Sequence, residues 1–178
     1  MANSRHGSGS RQGGRHCASA FTLVELITAV AVLAVLVALA VPNFNDATLS
    51  ARLNGFANGL VASAQVARSE AIKRNETIRL CASDDGATCA ASGGWEQGWV
   101  VLTDDDAVLQ VQQALPSEFN VTQAGGTAPL NFLGTVVGTT TATLTVCRSS
   151  PVGNEERVVT ISGTGSAYVT ITTAGSCS

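Results

Sequence analysis

An α+β fold, with one long N-terminal helix packed on a small antiparallel β-sheet domain, is what the sequence predicts, on three observations. Residues 21–41, FTLVELITAVAVLAVLVALAV, form an almost unbroken apolar run. From about 43 to 74 apolar residues return at spacings of three and four, the period of a helix. From Glu76 onward the chain turns to short β-prone runs broken by Gly, Ser, Thr and Asp.

Residues 1–20 carry Arg5, Arg11 and Arg15, no acid, and many Gly and Ser. Such a leader is expected to lack structure and to stay on the cytoplasmic side of a membrane. The run after it, at about 1.5 Å per residue, makes roughly 30 Å of helix, the thickness of a bilayer's hydrocarbon core. Its polar residues are Thr22, Glu25 and Thr28. Each Leu, Ile, Val or Phe favours insertion by about 0.3 to 0.6 kcal/mol, and these thirteen residues outweigh a carboxylate costing at most about 3 kcal/mol. Glu25 still needs a reason, because the natural partner of an acid in lipid is a cation and this helix has none. Cleavage between Ala20 and Phe21 would create one: the new α-amino group lies one helical turn from Glu25, in its own subunit or, better, in the next one of a stack.

The stretch AFTLVELITAVAVLAVLVALAVPNF resembles the N-terminus of type IV prepilins. That resemblance implies a prepilin peptidase that cuts before Phe21 and methylates the new amine. The helix then builds a filament, with Phe21, Glu25 and Pro42 at the positions the pattern expects. Ala20 stands where the pattern has Gly. Two other readings compete. A secretory signal peptide has Ala38-Leu39-Ala40 as a cleavage site, but its apolar core would exceed the usual 7–15 residues or so, would contain an acid, and would be followed by Pro42. A plain anchor helix leaves Glu25 unexplained. Cys17 does not read as a lipid-attachment site, because Gly14, Arg15 and His16 precede it.

Beyond Pro42, Leu49, Leu53, Phe56, Leu60, Ala64, Ala67 and Ala71 mark one apolar face, read as core. One helix is therefore expected from Phe21 to Arg74, kinked by Pro42 and weakened at Gly55 and Gly59 by about 1 kcal/mol each relative to Ala. Lys73 and Arg74 close it at the negative end of its dipole. The chain divides into a cleaved leader, 1–20; a transmembrane or filament-core helix, 21–42; the amphipathic half of that helix, 43–75; and a β-rich globular domain, 76–178, expected in the periplasm. Strands are expected at Thr77–Cys81, Trp99–Thr103, Val108–Gln112, Leu130–Leu133, Thr143–Cys147, Arg157–Ser162 and Tyr168–Thr172, in an antiparallel sheet, with 134–141 open to a reading as loop.

With the leader removed, Cys81, Cys89, Cys147 and Cys177 remain, and four cysteines allow three pairings. Neighbouring pairs, Cys81 with Cys89 and Cys147 with Cys177, are the simplest. Zinc is the alternative, but no CxxC spacing exists, and neither a metal nor a cofactor is expected.

The segments ARSEAIKRNETIRLC and GGWEQGWVVLTDDD resemble the GspH/FimT family of minor pilins and pseudopilins. Helix, first strand, Trp95 and Gly98-Trp99 follow its pattern, and the resemblance resumes more weakly at TVCRSS and RVVTISGTGSAYV. It implies a pilin-like fold and other pilins or pseudopilins, the prepilin peptidase and the inner membrane as partners. Members that bind DNA in natural transformation carry a basic Gly-Arg-x-Arg element; the corresponding Gly165-Ser166-Ala167-Tyr168 has neither arginine. Without the leader arginines, seven Lys and Arg face thirteen Asp and Glu, a formal charge of −6. Nucleic acid, held mainly through phosphates, needs clustered cations, and here Arg52, Arg68, Arg148 and Arg157 are scattered, with only Lys73, Arg74 and Arg79 offering a small patch. DNA capture is the alternative function.

Catalysis finds little support. Both histidines, His6 and His16, lie in the leader, so the mature chain lacks the commonest general base. Asp104, Asp105 and Asp106 alternate in direction if they end a strand, so they read as a solvated turn rather than a calcium site, as do Asp84 and Asp85. The expected role is a structural minor subunit of a type IV pilus or a type II secretion pseudopilus, near the tip and helping prime assembly. The IKRNETIRLC and WEQGW segments resemble the pilus branch somewhat more.

Overall fold

The computed structural model describes residues 21–135, 138–149 and 155–173, without the side chains of 39–46. The chain forms two compact units, 1–43 and 44–178. Helix α1 runs Leu23–Arg74 and takes part in both. The expected kink at Pro42 falls at their joint, where side chains lie outside the described residues.

In the first unit α1 begins two residues later than the apolar run suggests. Thr22 supplies the reason: its Oγ1 accepts the Glu25 N–H at 3.2 Å, and its carbonyl accepts the Leu26 N–H at 3.1 Å. A threonine in that position stops the helix from starting earlier by capping its first free donors.

The second unit is built on the 44–74 part of α1. Leu53, Ala57, Leu60, Ala64, Ala67 and Ala71 are buried, and Leu49 and Phe56 pack partly buried beside them. Small residues along the stripe let the strands approach the helix closely. Asn75 ends α1 with φ 53°, the left-handed conformation that Asn tolerates after a helix.

Among the described residues eight strands follow, all pairing antiparallel: β1 (Ile78–Ala82), β2 (Trp99–Leu102), β3 (Val108–Gln112), β4 (Phe119–Gln123), β5 (Leu130–Phe132), β6 (Ala142–Arg148), β7 (Glu156–Ile161) and β8 (Ala167–Thr172). They form two four-stranded sheets, ordered β3-β2-β1-β5 and β4-β6-β7-β8, rather than the single sheet expected. The added strand is β4, which supplies Phe119 and Val121 to the core and pairs with β6. Described parts of 133–141 are loop. One cluster of buried side chains joins α1 to both sheets, through Ile78, Leu80, Trp99 and Leu130 on one and Val121, Leu144, Val159 and Ile161 on the other. Phe56 of α1 meets Phe119 edge to face, ring centres 5.0 Å apart.

Candidate assembly interface

The first unit presents its apolar side chains to the outside. Phe21, Leu23, Val24, Leu26, Ile27 and the Val and Leu residues through Val37 are all exposed. Such a surface needs lipid or other protein to cover it. Among the described residues, no helix is long and apolar enough to cross a membrane. The described apolar part, Leu23–Ala38, gives about 24 Å of helix, and the sequence continues it apolar to Val41, beyond the described side chains.

Glu25 stands on this surface in a groove with Thr28, Ala29, Val32, Leu33 and Leu36, its acid flanked by apolar neighbours. The residues Thr22-Leu23-Val24-Glu25 also read as the S/T-x-x-E capping signature, and the Thr22 half of it forms, Oγ1 to the Glu25 N–H. An acid in the first turn further suits the positive end of the helix dipole. The sequence presents Glu25 as a charge awaiting a partner; the cap made by Thr22 is a separate feature, although its four-residue signal is present. Ala20 and Cys17 lie outside the described residues.

In the second unit the WEQGW segment is a bracket between the two sheets. Trp95 opens a short 3-10 turn, Trp95–Gln97, and its Nε1 donates to Gln123 Oε1 of β4 at 2.9 Å. Trp99 opens β2 and donates to Ser63 Oγ of α1 at 2.9 Å, while Ser63 donates on to the Gly59 carbonyl at 3.0 Å. Both indoles are buried and both N–H groups are satisfied. Gly98 between them has φ 112°, and its carbonyl accepts the Ser83 N–H at 2.9 Å.

Cys81 and Cys89 are joined by a disulfide, with Cα atoms 5.5 Å apart. It closes a loop knotted by Asp85, whose Oδ1 accepts from the Ala87 and Thr88 N–H groups at 2.8 Å and from Ser83 Oγ at 3.0 Å. Thr88 Oγ1 donates to the other oxygen at 2.8 Å. These donors hold the Asp85 carboxyl far below the usual carboxylate range, the Thr88 and Ala87 amides leading. Both oxygens are thus engaged within the loop. Asp104 and Asp105 are exposed in the β2–β3 turn, and Asp106 pairs with Arg79. Among the described residues no group of three or more His, Cys, Asp or Glu is placed to hold a metal. Cys147 is disulfide-bonded as well; Cys177 lies outside the described residues.

Several of the other cations pair with acids. Lys73 and Arg74 both reach Glu70, at 2.6 and 2.9 Å, and lower its pKa, the Lys73 bond contributing most. Arg52 faces Glu118 at 3.8 Å. Arg157, which the sequence presents as one more scattered cation, is only 3% exposed. It donates to Asn54 and Ser50 of α1 and to Glu155, at 2.5, 2.9 and 3.2 Å, and so joins β7 to the helix. Ser50 Oγ and Arg157 together keep the Glu155 pKa low.

A helix laid across antiparallel sheets, with an exposed apolar segment that carries a single acid in its Thr22-capped first turn, defines a pilin-like fold. The profile described as "Type II transport protein GspH" matches residues 57–165, and the profile of the prokaryotic N-terminal methylation motif matches residues 15–41. The chain belongs to the GspH family of minor pilin and pseudopilin proteins. Its fold is similar to that of the type IV minor pilin FimU of Pseudomonas aeruginosa in two crystal forms, at 22% identity. One form gives a TM-score of 0.52 over 66% of this chain and 91% of FimU, the other 0.55 over 69% and 91%. The minor pseudopilin EpsH from the type 2 secretion system of Vibrio cholerae aligns at 17% identity and a TM-score of 0.48, over 66% of this chain and 94% of EpsH. No curated protein sequence matches the chain. It is a structural subunit and not an enzyme.

Proposed function

We propose that the chain is a minor subunit of a type IV pilus or type II secretion pseudopilus, made as a precursor and cut by a prepilin peptidase between Ala20 and Phe21. The new Phe21 amine is methylated. The 21–42 helix parks the subunit in the inner membrane, with the domain from 76 to 178 in the periplasm, and then moves into a filament core. There Glu25 meets the amine of a neighbouring subunit and sets the axial register. The subunit sits near the tip with other minor pilins and helps prime assembly. The observation that carries this reading is the exposed apolar segment 21–38 with a single acid on it, lying under the methylation motif. DNA capture is the weaker alternative: Arg52, Lys73, Arg74, Arg79 and Arg157 each face a carboxylate, leaving little free positive charge for phosphates.

The charge of Glu25 can be tested apart from the Thr22 cap, which uses only the Glu25 backbone N–H. Glu25→Gln keeps the shape of the side chain and removes the charge; Glu25→Ala removes the side chain, and both keep the backbone N–H that Thr22 caps. Both variants should insert in the membrane at least as well as the native chain, and both should lose incorporation, read by co-purification with sheared filaments. Native incorporation of Glu25→Gln would remove charge pairing from the mechanism. A deletion strain scored in parallel for surface motility and exoprotein release assigns the machine.

A further inference from the structure

Cys147 and Glu156 are buried on the side of the second sheet that faces away from α1. Along β6 and β7 they alternate with Val146, a core residue, and with Arg157, which bonds to Ser50 and Asn54 of α1, so both point to the opposite face. One step from the Val146–Arg157 pair the antiparallel register sets Cys147 beside Glu156, and Glu156 in turn pairs with Thr172 of β8. Each is only 1% exposed, whereas the next row on that face, Thr122, Thr145, Val158 and Thr170, is half-buried or exposed. The outer face is therefore covered at one end. Thr172 Oγ1 donates to Glu156 Oε2 at 3.1 Å, and the described residues end at Thr173. Cys147 is disulfide-bonded, and Cys81 is bonded to Cys89, which leaves Cys17 and Cys177 as partners within the chain.

We propose that the chain after β8 is this cover: residues 173–177 cross the outer face from Thr172 over Glu156, and Cys177 bonds to Cys147. The reach fits. Cys147 lies two strands from Thr172, about 10 Å at the usual strand spacing, and the segment 173–177, extended, spans about 16 Å. Cys17 precedes the whole of α1 and would leave the burial of Glu156 without a cause. Among the described residues β8 pairs with β7 alone, and the bond clasps it to β6 across β7. The loop so closed holds both β7 and β8 and is longer than that of Cys81–Cys89, so it constrains more of the unfolded chain. The bond forms by exchange with a protein oxidant that carries a disulfide. One cysteine thiolate attacks that disulfide, the other thiolate displaces the oxidant, and the oxidant leaves as a dithiol with both electrons and both protons. The clasp goes beyond the filament role and does not depend on cleavage at Phe21.

The test uses the full chain purified from host membranes, with free thiols alkylated at lysis. Peptide mapping without reductant should find Cys147 joined to Cys177 in most molecules. A bond from Cys147 to Cys17 or to another polypeptide, or an alkylated Cys147, would overturn the proposal. The path over Glu156 is read by carbodiimide labelling of carboxylates. Cys177→Ser, and Cys147→Ser with Cys177→Ser, which leaves no free thiol in the domain, should each raise labelling of Glu156 about tenfold. Asp104, exposed in the β2–β3 turn, should label as before, and emission from the buried Trp95 and Trp99 should stay that of the folded chain. Unchanged labelling of Glu156 in either variant would overturn the proposal, and if the variants unfold, the mapping of the native chain alone decides it.

Discussion

Gly98 holds a backbone conformation that other residues resist, and a Cβ there would lie 2.6 Å from the Gln112 carbonyl oxygen and 3.1 Å from that of Ser83. Gly98→Ala should therefore destabilise the protein by about 2 kcal/mol or more, read as a lowered denaturation midpoint at unchanged m-value. The sequence displays Gly98 between two tryptophans but not its purpose, because the atoms it must clear belong to β3 and to the disulfide loop. Ser63 is similar: a hydroxyl on an apolar stripe becomes intelligible only once the Trp99 indole, distant in sequence, is beside it. Asp85 gives a pH signature. Its folded pKa is depressed, so the order it brings to the loop is complete above the ordinary aspartate value of about 3.9 and is lost as pH falls towards the lower folded value. Amide exchange at Ala87 and Thr88 should accelerate below about pH 3.9, beyond the intrinsic pH trend. In Asp85→Asn the protection should be weaker at neutral pH and show no such step.

Helix α1 was the most legible element. Its apolar stripe recurs regularly over many turns, and Leu53, Leu60, Ala64, Ala67 and Ala71 fall where helical spacing puts them. Gly55 on the same helix is open, with no atom within 4 Å of an added Cβ. Gly55→Ala should then raise stability by about 0.5–1 kcal/mol, read by chemical denaturation. The seven expected strands form, with ends shifted by at most one residue, because each is a short β-prone run between turn residues. β4 is harder to read. Its Phe119 and Val121 point inward and alternate with Asn120 and Thr122, but five residues between Pro116 and the Gly125-Gly126 turn make a weak signal. Partition into two sheets is invisible locally, since it depends on which strands meet after the chain has folded back. Arg157 is misread for the same reason: burial of a cation depends on Ser50 and Asn54, over a hundred residues away.

At the scale of the molecule, function rests on the segment that the globular domain does not use. The 44–178 unit satisfies its own core, its indoles and most of its cations, whereas 21–38 exposes one apolar side chain after another around a single acid. Lipid and a filament core are both environments that can cover such a segment, and an acid in it needs a cation in either. That requirement was readable from residues 20 to 42 alone, because it follows from composition and not from folding. The capping role of Thr22 beside it needed coordinates. The most direct test is mass spectrometry of the N-terminus of the protein purified from its native host. The account predicts a chain that begins at Phe21 and carries an N-methyl group. A chain that keeps residues 1–20, or that begins after Ala40, would contradict it.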